Sequence, residues 1–246
     1  MFGFRNVLRQ KIRSILTICI IATGYTLSNW AISIAEGSYS VIIEKFTQNQ
    51  TGHLQIHKKG YLEKPRLSSS FLLTKELEEE IQRDKRITDF MPRVIGSALT
   101  FSPTNKTMGV QVRGIDVVKA NKIQQLAGQV KKGDYFSEDR KDSAQVLIGS
   151  RIAQNLKINI QEEIVLISQG RYGSIANNKY TVVGIIGDMK SVYSDSVIMS
   201  LGSAQDFFSL DNQINELMMV TDSHKRARSL AEGYQKFPKS IKAAEM

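Results

Sequence analysis

From Ser14 to Ala35 the chain runs for 22 residues without a formal charge. A helix of that length, rising about 1.5 Å per residue, reaches roughly 33 Å and matches the hydrocarbon core of a bilayer. Arg5, Arg9, Lys11 and Arg13 precede the stretch, and Glu36 follows it. This asymmetry predicts a basic cytoplasmic arm over 1–13, suited to lying on anionic lipid headgroups, a transmembrane helix over 14–35, and export of everything beyond. Trp30, in the second half of the stretch, is the expected anchor at the outer interface. Ser33-Ile34-Ala35 also has the small-x-small look of a cleavage site, so a removed signal peptide competes with a retained anchor. A signal peptide's apolar region is usually about 7–15 residues, shorter than this one. Either way the remainder is exported.

Past the span, Tyr39, Ile42, Ile43 and Phe46 fall at i, i+3, i+4 and i+7, the stripe of an amphipathic helix. A stalk helix over 36–50 is expected. The period then changes to two. Leu54 and Ile56 share one face of a strand, and His53, Gln55 and His57 share the other, which the polar composition assigns to solvent. Thr74 is a good N-cap for a helix burying Leu77 and Ile81. Residues 87–102 and 107–116 read as a hairpin about the turn 102–106. The polar stretch 117–142 suggests helix and loop. Strands follow at 146–149, 164–168, 180–187 and 216–221. A helix over 151–156 is capped by Ser150, and another is opened by Ser203 and Asp206. Between the strands at 164–168 and 180–187 lies a Gly/Asn-rich loop, 169–179. The last segment, 223–246, reads as a C-terminal helix.

Strands and helices mix without regular βαβ alternation, so the class is α+β, with an exported core over 51–222. The insert at 117–142 would divide that core into two lobes.

Composition adds limits. The chain has 246 residues, 41% hydrophobic, and a net charge of +9, of which the N-terminal arm supplies four positive charges. Beyond the arm, bases alternate with acids, as in Lys75–Arg86, which describes a solvated helix face and not a nucleic-acid interface. The single cysteine, Cys19, lies inside the apolar stretch, so the exported part holds no internal disulfide.

Catalytic patterns are missing. His53 and His57 stand four apart, a zinc spacing on a helix but not on a strand, and His224 has no acidic partner at a recognisable interval. No serine occupies a Gly-x-Ser-x-Gly turn. Gly128 and Gly133 have the interval of a phosphate-binding loop, but Asp134 and Tyr135 stand where Lys and Ser/Thr belong. The expectation is a non-enzyme with no catalytic, cofactor or metal residue.

The order of short motifs carries a resemblance. Arg5-Asn6-Val7-Leu8-Arg9-Gln10-Lys11-Ile12-Arg13-Ser14, Thr51-Gly52-His53-Leu54-Gln55-Ile56-His57, Pro92-Arg93-Val94, Val112-Arg113-Gly114-Ile115-Asp116 and Lys132-Gly133-Asp134-Tyr135-Phe136 succeed one another. Leu147-Ile148-Gly149-Ser150-Arg151 and Tyr180-Thr181-Val182-Val183-Gly184 complete the series. Together, over about residues 2–222, they resemble the permease subunits of lipoprotein-releasing and macrolide-exporting ABC transporters. One departure is Gln161-Glu162-Glu163, where the family usually has Gly-Asp.

The resemblance implies a bacterial inner-membrane permease, with its N-terminus cytoplasmic and its bulk periplasmic. ATP is bound by a partner ATPase subunit and no cofactor by this chain. A second permease copy or paralogue, membrane lipid and a periplasmic carrier or adaptor protein are the other implied partners, and nucleic acid is not among them. The family also has three further membrane helices, so a chain stopping at Met246 reads as a fragment. In lipoprotein-releasing relatives a hairpin meets the carrier. Here the matching loop offers Arg171, Tyr172, Asn177 and Asn178, and a plain hairpin turn is the alternative. The rival from another class is a single-pass sensor or scaffold domain.

Overall fold

The computed structural model describes residues 11–46, 51–136, 144–221, 230–231, 233–234 and 241–245. Lys11–Phe46 form one helix, α1, of 36 residues, so the expected span and most of the stalk are continuous. Residues 47–50 lie outside the described residues. Ile15, Leu16, Ile18, Ile20 and Ile21 are all exposed, and none of the span is buried against protein. A helix apolar on every side suits lipid. Its polar residues turn inward on the backbone: Thr17, Thr26, Asn29 and Ser33 each donate to the carbonyl four residues earlier, at 2.8–2.9 Å. Those bonds satisfy groups that the hydrocarbon could not. α1 lies in one compact unit of the chain, and residues 47–246 make the other.

The second unit contains β1 (Leu54–Lys58), β2 (Phe71–Leu72), α2 (Lys75–Arg83), β3 (Ile87–Phe101), β4 (Thr107–Ile115) and α3 (Val117–Gln124). It continues with β5 (Val130–Gly133), β6 (Gln145–Gly149), α4 (Ser150–Leu156), β7 (Glu163–Gln169) and β8 (Ile175–Ile186). The last elements are β9 (Ser196–Ser200), α5 (Leu201–Phe208), β10 (Gln213–Ile214), β11 (Glu216–Thr221) and β12 (Ile241–Glu245). Ten strands form one sheet in the order β12-β1-β11-β3-β4-β9-β6-β8-β5, with β7 bridging β3 and β8. The bridge closes β3-β4-β9-β6-β8-β7 into a ring. β2 and β10 pair separately.

Strands on both sides of the expected divide thus share one sheet, through β4 with β9 and β3 with β7, and two lobes are not seen. The insert supplies α3 and β5, while 137–143 lie outside the described residues. Residues 230, 231, 233 and 234 are helical, as expected of the C-terminal segment. Ile241–Glu245 depart from it: they pair with β1 as a strand, set Glu245 opposite Leu54, and satisfy backbone groups that β1 would otherwise leave open.

Neighbouring residues on the strands enter opposite cores, as the pleat requires. Phe90, Ile148 and Met219 join Leu77 and Ile81 of α2, Ile152 of α4, and Phe207 and Phe208 of α5. Met91, Leu147 and Met218 join Ala120 of α3, Leu126 and Tyr193. Covering both faces explains why these strands carry little alternation. α5 approaches so closely that a Cβ on Gly96 would stand 2.4 Å from the Phe208 ring, and one on Gly114 would stand 2.2 Å from the Ala204 Cβ.

Thr74 caps α2 as expected, accepting from the Leu77 amide at 3.4 Å. The other two caps shift by a few residues. Gly149 is the N-cap of α4, and α5 begins at Leu201 with Ser200 as its cap. The turn before β7 is made without glycine, with Gln161 at φ 68°.

Candidate functional site

The polar face of β1 is buried, contrary to the expected solvated face. His53, Gln55 and His57 are all buried because α3, Tyr61 and the second apolar cluster roof that side of the sheet. Each side chain finds a partner there. The Thr221 amide donates to His53 Nδ1 at 3.0 Å, and the Gln55 amide donates to the Thr51 carbonyl at 2.8 Å. His57 Nδ1 lies 3.1 Å from the Asn215 carbonyl, and its Nε2 lies 2.8 Å from the Gln55 side-chain amide. The Tyr61 ring stacks on the imidazole at 4.7 Å.

Extending the β1–β11 register one step places His57 opposite Glu216, which in turn faces Arg93 on β3. The three form a ladder across adjacent strands, with Arg93 and Glu216 paired as a buried salt bridge. Asn215 fixes the neighbouring rung, accepting from the Ile95 amide at 2.9 Å and donating to the Ile95 carbonyl at 2.6 Å. Burial, with the second cation Arg113 nearby, pulls Arg93 down to about 9, so it stays charged at neutral pH. Burial also lowers His57. The Asn215 carbonyl opposes that shift and Arg93 adds to it. Tyr61 is pushed up to about 12 by burial. Arg113 stands at the margin, its guanidinium 5.3 Å from the Tyr193 ring centroid and its Nε donating to Gln111. The ladder holds together three strands remote in sequence. No geometry here suggests proton transfer or nucleophilic attack. No group of three or more His, Cys, Asp or Glu side chains suited to a metal occurs among the described residues.

The second candidate is the β7–β8 hairpin. Its expected eleven-residue loop narrows to 170–174, because pairing extends to Gln169 and Ile175. Asn177 and Asn178 are therefore strand residues, opposite Ile167 and Leu166. Arg171 and Tyr172 remain at the tip, and both are tethered. Arg171 donates to the Gln213 side chain and stacks near Tyr172, while the Tyr172 hydroxyl donates to Asp211 at 2.9 Å. Gln213 also accepts from Ser70, so its side chain joins the hairpin tip to the β2–β10 pair. Beside the tip, Leu99, Ile167 and Ile175 line a shallow apolar hollow of about 830 Å³, with Ile175 81% exposed.

Of the remaining expected residues, Arg5 and Arg9 lie outside the described residues. Lys11 and Arg13 open α1, and Trp30 lies exposed on it. The ladder escaped sequence reasoning because Arg93 and Glu216 are 123 positions apart. The one local signal was an arginine directly after Pro92 inside an apolar run.

The described residues thus combine one helix long and apolar enough to cross a membrane with a mixed α+β domain that carries a buried polar ladder. The chain belongs to the MacB-like periplasmic core domain family, whose profile matches residues 14–235, most of the apolar helix and the folded domain together. It is thereby a domain of the ABC-transporter permease class. No curated protein matches the sequence. Among solved structures, the fold is similar to the periplasmic region of MacB from Actinobacillus actinomycetemcomitans. The TM-score is 0.55 at 16% identity, over 83% of this chain and 93% of that one. It is also similar to the extracellular domain of the noncanonic ABC-type transporter YknZ from Gram-positive bacteria. That TM-score is 0.54 at 12% identity, over 78% of this chain and 99% of that one.

Proposed function

We propose that this chain is the first membrane helix and periplasmic core of a permease subunit. It relays the ATP-driven closure of a cytoplasmic ATPase dimer to a domain outside the bilayer, for release of lipoproteins or export of amphipathic cargo. The observation that carries this reading is the family match beginning at Ser14 and running to Gln235, which joins a lipid-suited helix and the core in one module. The continuity of α1 supports it, since an unbroken 36-residue helix transmits displacement without a hinge. In this reading the helix spans the inner membrane with Lys11 and Arg13 on the cytoplasmic side. The chain itself binds no nucleotide; ATP belongs to the partner subunit. A second permease, identical or paralogous, completes the membrane part. The tethered tip with Arg171 and Tyr172 is the surface offered to a periplasmic carrier or adaptor.

The test is purification of the protein encoded at its native locus in mild detergent, with assays for a co-purifying ATPase and for ATP hydrolysis. A stoichiometric nucleotide-binding subunit is expected. A single-pass protein without one overturns the permease reading in favour of a sensor or scaffold.

A further inference from the structure

A cavity of about 510 Å³ lies between β5, α4 and the turn after β8, on a part of the molecule that neither the ladder nor the hairpin uses. Lys131, Lys132 and Lys157 line it, against one acid, Asp188. Consecutive lysines on a regular strand would point to opposite faces. The register of β5 against β8 shifts between Val130 and Lys132, however, and such a bulge re-aims side chains, so both lysines border the same cavity. Gly133 ends the strand at φ 76°, where a Cβ would stand 2.3 Å from the Val183 carbonyl oxygen, which fixes the bulge against β8. Lys157 is held at φ 53° as the left-handed C-cap of α4, a position glycine adopts more easily.

The charges are not balanced. Lys131 lies 3.6 Å from Asp188. Lys132 and Lys157 have no ion-pair partner among the described residues. Two acids stand near these lysines in the chain: Asp134, just past Gly133, and Glu162, which is engaged by the Asn159 amide at 2.9 Å and by its side chain at 3.3 Å. The Ser150 hydroxyl, on the same wall, is buried without a hydrogen-bond partner among the described residues. The rest of the lining combines the apolar Ala153, Ile158, Ile185 and Met189 with Gly187 and the neutral polar Gln154 and Asn159.

We infer that this cavity binds a phosphate ester carrying an apolar substituent. Lys132 and Lys157 meet the phosphate, and the Ala153–Ile185 wall meets the substituent. The volume falls within the range of small-ligand sites. The lysines act as point charges from a strand and a helix end, which is unlike the backbone cradle of a nucleotide-binding loop and agrees with Asp134 standing where such a loop needs lysine. A phospholipid headgroup and a soluble ester share this chemistry. The inference does not depend on the permease reading.

The test uses the full chain in phosphatidylcholine nanodiscs, titrated with butyl phosphate and separately with inorganic phosphate. Binding is read from the backbone amide signals of Gly187 and Asn159. Saturable shifts are expected, with butyl phosphate bound at least about tenfold more tightly. Lys132→Gln and Lys157→Gln should each weaken binding by roughly tenfold, while Lys85→Gln, on a distant surface, leaves it unchanged. Nanodiscs doped with phosphatidylglycerol distinguish the sources: the same shifts without added ester identify a lipid headgroup, and their absence identifies a soluble ester. No saturable shift, or shifts indifferent to both substitutions, overturns the site. Equal affinity for inorganic phosphate overturns the ester.

Discussion

Arg93 and Glu216 face each other across adjacent antiparallel strands, with only 5% and 11% of their side chains exposed. Removing one partner leaves the other charge buried, which costs about 3–5 kcal/mol, whereas replacing both with apolar groups avoids that penalty. Glu216→Gln should therefore lower the urea midpoint strongly, and Arg93→Met with Glu216→Leu should lower it less than either single change. A double variant as unstable as the sum of the singles would show that the pair is not the unit of stabilisation.

The same ladder makes stability depend on pH. His57 has a lowered folded value, chiefly through burial, and is surrounded by Arg93, Glu216 and Tyr61. Below the ordinary histidine value of about 6.5 the unfolded chain takes up a proton that the folded ring resists, so stability falls as the pH drops from there toward the folded value. Melting temperatures between pH 7.5 and 5 should decline in the wild type. The decline should be shallower in His57→Gln.

Gly96 tests the packing of α5. Gly96→Ala drives a methyl group into the Phe208 ring and should cost about 1–3 kcal/mol in chemical unfolding. Phe208→Leu should restore part of that loss in the double variant, although alone it is destabilising. Failure of the rescue would place the strain elsewhere.

At the hairpin, Arg171→Ala removes the contact to Gln213 and should cost about 1 kcal/mol while speeding amide exchange over 170–174. Tyr172→Ala, at an exposed ring, should leave the unfolding midpoint nearly unchanged. A carrier that docks at the tip would nonetheless bind this variant more weakly.

In the proposed topology the basic arm sets the orientation. Replacing Arg5, Arg9, Lys11 and Arg13 with Glu should give mixed or inverted topology, read by labelling single cysteines introduced at positions 3 and 60 in a Cys19→Ser background. An unchanged orientation would make some other feature the determinant.

The elements themselves were largely legible. The apolar stretch, the 87–116 hairpin, the Thr74 cap and the short strand at 146–149 follow from local periodicity and capping, and these are local forces. The errors share a cause in tertiary context. His53, Gln55 and His57 look like a wet face until α3 and Tyr61 cover them. Asn177 and Asn178 look like loop until β7 supplies a ladder of backbone partners. Ile241–Glu245 is drawn into the sheet by the open side of β1. The ladder of His57, Glu216 and Arg93 is invisible in the chain because its rungs come from three distant segments, whereas the lysine pair of β5 is visible but its shared direction depends on a bulge.

The pairing of Leu54 with Glu245 sets the beginning of β1 beside the end of β12. A pull that drew these two points apart would open the β1–β12 contact one hydrogen bond at a time, as a zipper opens, and not by shearing all of them at once. Beyond β11 the strands from β3 to β8 in sheet order are closed by β7, so each of them is paired on both sides. The domain is thus mechanically graded: soft where its outermost strands meet, stiff where the ring closes.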